Sequence, residues 1–151
     1  MPTGNFGNIL AAYYAKNMGL PIKKLVCASN SNNVLTDFLK SGEYDKNRKF
    51  FTTTSPSMDI LISSNLERLL YHMSGEDDKL VCELMSALAK DGKYEVSKTL
   101  IDNIQTIFDA GYCDESSVDA TIKEQFDNYH YLCDTHTAVA VKVYENYVAT
   151  T

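Results

Sequence analysis

The chain has 151 residues, 44% hydrophobic and 23% charged, which is enough for one domain with a genuine core and shows no bias toward disorder, collagen or fibre. Its 14 basic and 20 acidic residues give a formal charge of -6, which repels phosphodiester backbones and anionic lipid surfaces. No apolar run approaches the roughly 20 residues that cross a bilayer, so neither nucleic acid nor membrane is an expected partner.

Thr3-Gly4-Asn5-Phe6-Gly7-Asn8 sets two glycines around a small polar stretch directly before a helical pattern. Glycine lets backbone N–H groups turn toward a ligand, and the helix adds unpaired donors and its positive dipole end, so this segment reads as an anion cradle. Such a loop ordinarily follows a strand, and only Met1 and Pro2 stand upstream, so the sequence reads as part of a longer chain. Ile9, Leu10, Ala12, Tyr13 and Tyr14 recur at helical spacing until Gly19-Leu20-Pro21 stops the helix. Ile22 to Ala28 is a branched apolar run expected as a buried strand, and a second helix starts near Asn32 or Asn33. Ser41 to Arg48 is expected as a surface loop in which Tyr44 and Asp45 carry no chemistry, followed by a β-rich run at 49–53 and another loop to Met58.

Asp59 through Met73 fits a buried helix stopped by Ser74-Gly75, and a further helix spans about Asp77 to Lys90, with an acidic start and a following Gly92. Tyr94 to Val96 is extended, Ser97 caps a helix to about Ile104, and Phe108 to Cys113 reads as a strand. Asp114 opens a helix carrying Val118, Ile122 and Phe126 on one face, Tyr131 to Cys133 suggests a strand, and the last helix starts at His136 or Thr137. Strands alternating with helices over one domain, 1–151, predict a three-layer α/β/α sandwich with a mainly parallel sheet, the first loop lying at a strand's carboxyl end. The four cysteines form no Cys-x-x-Cys pair, and no histidine stands at a metal-ligand interval, so no metal site is expected. Each has apolar neighbours, as in Leu25-Val26-Cys27-Ala28 and Leu80-Val81-Cys82, which predicts reduced core thiols and a cytoplasmic location.

Thr3 to Asn8 resembles the phosphate-binding loop of threonine synthase, a fold-type-II enzyme dependent on pyridoxal phosphate (PLP), and further similar segments follow in order. They are Cys27-Ala28-Ser29-Asn30 with Asn32 to Phe38, Ser55 to Ile60, Ser63-Ser64-Asn65-Leu66-Glu67-Arg68, and Asp134-Thr135-His136-Thr137-Ala138-Val139. The resemblance covers nearly the whole chain and implies a stretch of the cofactor-binding region of a longer enzyme. It implies that Thr3, Gly4, Asn5, Phe6, Gly7 and Asn8 hold the cofactor phosphate, largely through main-chain amides, and that the Thr137 hydroxyl faces the pyridine nitrogen. Where the family commonly shows proline this sequence has Thr135; His136 reads as a packed or capping residue.

Asn65 and Arg68, three apart on one helical face, could hold a substrate phosphate, and Glu67 with Arg68 equally suits a salt bridge. Ser55, Ser57 and Asp59 form a polar loop that could line the same cleft. By resemblance the complete enzyme converts O-phospho-L-homoserine and water into L-threonine and phosphate, using a lysine that lies well before the glycine loop and binds the cofactor aldehyde. Lys16, Lys23 and Lys24 follow the loop, so the chain by itself is expected to lack turnover and to self-associate through exposed sheet edge and apolar surface. A serine or threonine dehydratase-like lyase shares the glycine loop, and a stand-alone anion-binding module is the alternative outside enzymes.

Overall fold

Alternate side chains of one short strand, β1 (Leu25–Ser29), enter two separate cores, and this divides the molecule into layers. The computed structural model describes every residue from Met1 to Thr151. Leu25 and Cys27 point into the larger core, Val26 and Ala28 into the smaller one. Strand β4 (Phe108–Tyr112) pairs with β1 in parallel, from Leu25 opposite Phe108 to Ser29 opposite Tyr112. The other edge of β1 takes up Met1 to Thr3, also in parallel, through Ala28 N–H to Met1 O and Thr3 N–H to Ala28 O, both at 2.9 Å. The glycine loop therefore leaves the sheet at the carboxyl ends of parallel strands, where α/β folds bind ligands.

Helices α1 (Gly7–Asn17), α2 (Val34–Ser41), α3 (Leu66–Met73), α4 (Asp78–Asp91) and α5 (Lys98–Ile107) surround the larger core; α6 (Glu115–Tyr129) and α7 (Thr135–Thr150) enclose the smaller. The architecture is α/β with a parallel sheet between helical layers, as the alternation of strands and helices predicts. No helix is long and apolar enough to cross a membrane. Four helix starts follow from side-chain chemistry: Asp77, Ser97, Asp114 and Asp134 each accept a main-chain N–H from the first turn.

Several expectations are corrected. The loop expected over 41–48 contains β2 (Glu43–Asp45), which pairs antiparallel with β3 (Lys93–Glu95) and stacks Tyr44 on Tyr94 with centroids 5.2 Å apart. Residues 49–53 form no strand, because side chains replace a neighbouring strand: Asn32 pairs with both the N–H and the C=O of Phe51, and Asp59 takes the N–H of Thr53. The helix expected from Asp59 begins only at Leu66, since the N–H groups of Ser63 and Ser64 are claimed by Tyr44 Oη and Asn5 Oδ1. Tyr131 to Cys133 is irregular, a short crossing from the left-handed His130 to the Asp134 cap with no strand beside it. The first strand starts at Leu25 rather than Ile22, whose carbonyl accepts from the Lys16 ammonium. Cys82 is exposed on α4, while Cys27, Cys113 and Cys133 are buried thiols.

Tyr44 ties this core to the segment that follows 3₁₀ turn 56–58: its hydroxyl accepts from Ser63 N–H at 2.8 Å and donates to Leu61 O at 3.0 Å. Tyr44→Phe leaves a buried N–H and a carbonyl without partners. Urea denaturation should show a loss of about 1–3 kcal/mol with an unchanged slope.

Candidate functional site

The run from Gly4 to Ile9 carries main-chain donors with nothing inside the protein to receive them. Thr3 N–H pairs with Ala28 O and Leu10 N–H with Phe6 O, but none of the N–H groups of Gly4, Asn5, Phe6, Gly7, Asn8 or Ile9 finds an internal acceptor. The last three belong to the first turn of α1, which has no side-chain cap. Phe6 stands immediately before it at φ 62 and ψ 3, a left-handed backbone that turns successive N–H groups to a common side. A non-glycine residue in that region costs about 1 kcal/mol or more. Burial opposes this cost: the Phe6 ring is 1% exposed and lies 5.7 Å, centroid to centroid, from Phe108.

The outward direction of the donors is fixed from behind. Ser63 Oγ donates to Gly4 O at 2.9 Å, and Asn65 Nδ2 donates to Asn5 O at 2.8 Å. In a planar trans peptide the C=O and the following N–H point oppositely, so these two bonds aim Asn5 N–H and Phe6 N–H away from the buttress. The Asn5 side chain is also held, its Oδ1 accepting from Ser64 N–H at 2.7 Å and Ser64 Oγ at 2.8 Å.

Opposite the loop stands Ser57-Met58, fixed by a buried polar network. Asn30 is fully buried; its Nδ2 lies within hydrogen-bond distance of Asp59 Oδ1 (2.8 Å), Thr53 Oγ1 (2.9 Å) and Ser55 Oγ (3.0 Å), while its Oδ1 accepts from Asn32 N–H. Gly4 packs so closely on this wall that a Cβ there would lie 2.7 Å from Ser57 O. The wall is latched to α7, since Ser57 N–H donates to His136 Nε2 at 3.2 Å. That bond leaves the proton of the neutral ring on Nδ1, which faces Asp134 Oδ1 at 3.4 Å. Asp134 also accepts from the Thr137 hydroxyl at 2.5 Å and the N–H groups of His136 and Thr137. The Thr137 hydroxyl, then the Thr137 N–H, hold its carboxyl below the ordinary value of 3.8.

Between loop and wall lies a cleft of about 390 Å³, lined by Pro2 through Asn8 with Ser57, Met58 and His136 and by no carboxylate. Thr3, Gly4, Asn5, Phe6, Gly7 and Asn8 are thus gathered around one space. Thr137 is absent from the lining, and its hydroxyl proton is directed at Asp134. Asn65 and Arg68 do not line the cleft either: Asn65 turns to the loop, and Arg68 Nη1 donates to Asn65 Oδ1 at 2.5 Å rather than pairing with Glu67. Ser57 does line it, while Ser55 and Asp59 belong to the Asn30 network behind it. The wall role of Met58 and the latch of His136 carry no local sequence signature of their own. For the buttress of Ser63 and Ser64 the available signal was Ser63-Ser64-Asn65, three consecutive short polar side chains just ahead of an apolar helix. A larger groove of about 820 Å³ between α1, α3 and α4 holds Arg68, Tyr71, Val81 and Met85 but no comparable run of free donors.

No family model matches the chain. Threonine synthase-like 1 of Homo sapiens is 50% identical to it over 141 residues, covering 93% of this chain and 19% of that protein. The threonine synthase of Saccharomyces cerevisiae is 42% identical over an alignment of 162 positions, covering 99% of this chain and 32% of the yeast protein. The crystal structure of PLP-bound threonine synthase from Brucella melitensis superposes with a TM-score of 0.93 at 45% identity, over 96% of this chain and 31% of that one. This chain is homologous to part of threonine synthase. It spans 19% to 32% of the length of these relatives, and its α/β architecture is that of the threonine synthase fold.

The cap on α7 gives a pH signature. A carboxyl whose folded value is depressed contributes stability that is fully present above its unfolded value, near 3.8, and is lost as pH falls through the lower folded value. In calorimetric scans at decreasing pH, Asp134→Asn should therefore lose less thermal stability across that acidic window than the unaltered chain, because an amide does not titrate.

Proposed function

We propose that this chain forms the phosphate-gripping part of the PLP site of a threonine synthase, the complete enzyme converting O-phospho-L-homoserine and water into L-threonine and phosphate. The observation that carries the reading is the unbroken run of N–H groups without an internal acceptor from Gly4 to Ile9, all but the last in residues that line a cleft without a carboxylate. That donor set fits a phosphate dianion: neutral amides converge on it, and the N-terminal end of α1 adds its dipole. Any side chain at Gly4 would collide with the Ser57-Met58 wall and displace loop and wall from one another, so the glycine keeps the two sides of the cleft at their spacing.

In this reading the amides of Gly4 to Ile9 hold the phosphate, Asn30 and Asp59 keep the Ser57-Met58 wall at its distance, and the His136 latch joins that wall to α7. PLP, when bound, supplies an electron-accepting ring. The Thr137 hydroxyl, one residue beyond the latch, is assigned to the ring nitrogen, and serving it would require the O–H to rotate away from Asp134 and donate toward that nitrogen. No lysine lines the cleft; Lys16 and Lys24 donate instead to the carbonyls of Ile22 and Gln105. The chain alone accordingly offers no amine to a cofactor aldehyde there and is proposed to lack turnover. Three buried thiols agree with a reducing, cytoplasmic setting.

Titration of the ¹⁵N-labelled chain with inorganic phosphate should shift the amide resonances of Gly4 to Ile9 saturably. Gly4→Ala should weaken that binding about tenfold, the equivalent of one charge-assisted hydrogen bond. Unmoved loop amides would refute the reading. Product analysis of the full-length enzyme tests the reaction: phosphate and threonine are expected, whereas ammonia and a keto acid would mark a dehydratase.

The same reading includes self-association. Tyr129, Leu132 and Tyr144 on and between α6 and α7 are each more than half exposed, apolar surface of the kind that draws copies together. Sedimentation velocity should show species larger than the monomer as concentration rises, and a single monomeric boundary throughout would overturn it.

A further inference from the structure

Arg68 ends on one atom, the amide oxygen of Asn65, 2.5 Å from its Nη1. A guanidinium can only donate, so it fixes which way round the Asn65 amide stands: Oδ1 toward Arg68, Nδ2 toward Asn5 O at 2.8 Å. The reverse orientation would set donor against donor and acceptor against acceptor. Asn5 O, thus held, determines the plane of the Asn5–Phe6 peptide and sends Phe6 N–H toward the cleft.

This peptide has a reason to turn over. Phe6 sits at φ 62, and rotating the peptide before it by half a turn would return Phe6 to negative φ, relieving the left-handed backbone that L side chains resist. It would also withdraw Phe6 N–H from the cleft and point Asn5 O at the anion. Asn65 N–H approaches Asn5 O only at 3.4 Å, and the Ser64 bonds hold the Asn5 side chain rather than its carbonyl. The Asn65 amide is therefore the principal restraint on the flip, and Arg68 is what orients that amide.

We propose that Arg68 is a positioning residue for anion binding: through Asn65 it locks the Asn5–Phe6 peptide in the orientation that presents Phe6 N–H to a phosphate group. The proposal rests on the reading of the glycine loop as a phosphate cradle. It gives Asn65 and Arg68 a place behind the loop rather than on the phosphate of a substrate.

The test uses the full ¹⁵N-labelled chain, with inorganic phosphate as the probe and the intraresidue HN–Hα cross-peak of Phe6, strong at positive φ, as a direct report on the peptide. Asn65→Asp places an acceptor against Asn5 O at nearly unchanged volume, and Arg68→Met removes the orienting donor while keeping the apolar stem. Both should weaken phosphate binding about tenfold, the loss of one charge-assisted hydrogen bond, and weaken the Phe6 cross-peak. Resonances of the buried Leu69 and Leu70 should stay in place, which separates reorientation from unfolding, and Arg68→Lys should recover part of both effects. Wild-type phosphate affinity in both variants, with wild-type binding intact, would overturn the proposal and leave the cradle standing. Absence of saturable shifts in the unaltered chain would bring down the cradle and the proposal together.

Discussion

A peptide group carries its donor and its acceptor on opposite sides, and the loop at Gly4 to Phe6 is organised around that fact. Two carbonyls are taken from behind by Ser63 and Asn65, so the paired N–H groups have only the cleft to face. Everything else near the loop serves this orientation. The Phe6 ring, sunk against Phe108, fixes the loop's height over the core, and the parallel bridge of Met1 to Thr3 on β1 fixes its origin at the sheet edge. Leaving polar groups unpaired costs free energy when water is excluded from them, so a run of free donors beside a well-packed core is itself a functional statement.

The opposite wall shows a different solution to the same problem of holding irregular backbone still. Residues 50–62 contain little regular structure, yet Asn30 and Asn32, at the carboxyl end of β1, act as a surrogate strand for them. Asp59 closes the network by accepting from both asparagines and from the Thr53 hydroxyl and N–H. A network this deeply buried is rigid only when fully satisfied, and each of these side chains finds partners. The sheet thus controls both sides of the cleft: one through the Met1 to Thr3 segment bridged to β1, the other through amides at the carboxyl end of β1 itself.

The regular elements were legible in the sequence wherever local signals were complete. Asp77, Ser97 and Asp114 marked helix starts, Gly92 marked a helix end, and the two glycines marked the irregular loop that leads into α1. Segments whose backbone is paired by distant side chains misled the reading. The run at 49–53 has strand-like composition, but its partner is a pair of asparagine amides, and nothing local shows that. Asp59 to Asn65 carries helical apolar spacing, but its donors go to Tyr44 and Asn5. Tyr44 and Asp45 read as loop because the strand that pairs with them lies about fifty residues further on. Asn65 and Arg68 drew attention by spacing, yet their engagement with the loop depends on a fold-level contact that spacing cannot reveal.

For a chain of formal charge -6, the proposed grip on an anion needs an explanation in distances. Surface charges are screened over about 10 Å at ordinary ionic strength, whereas amide dipoles act at contact. The cleft excludes carboxylates from its lining, and the acidic groups in its frame are engaged elsewhere: Asp134 by the first turn of α7, Asp59 by Asn30, Asn32 and Thr53. His136 turns its lone pair to Ser57 N–H rather than to the open space. Local polarity is thereby separated from global charge. Recognition by neutral amides, as proposed, has a further consequence: such a grip requires no side chain to be ionised, so the pH dependence of binding would fall on the phosphate rather than on the loop.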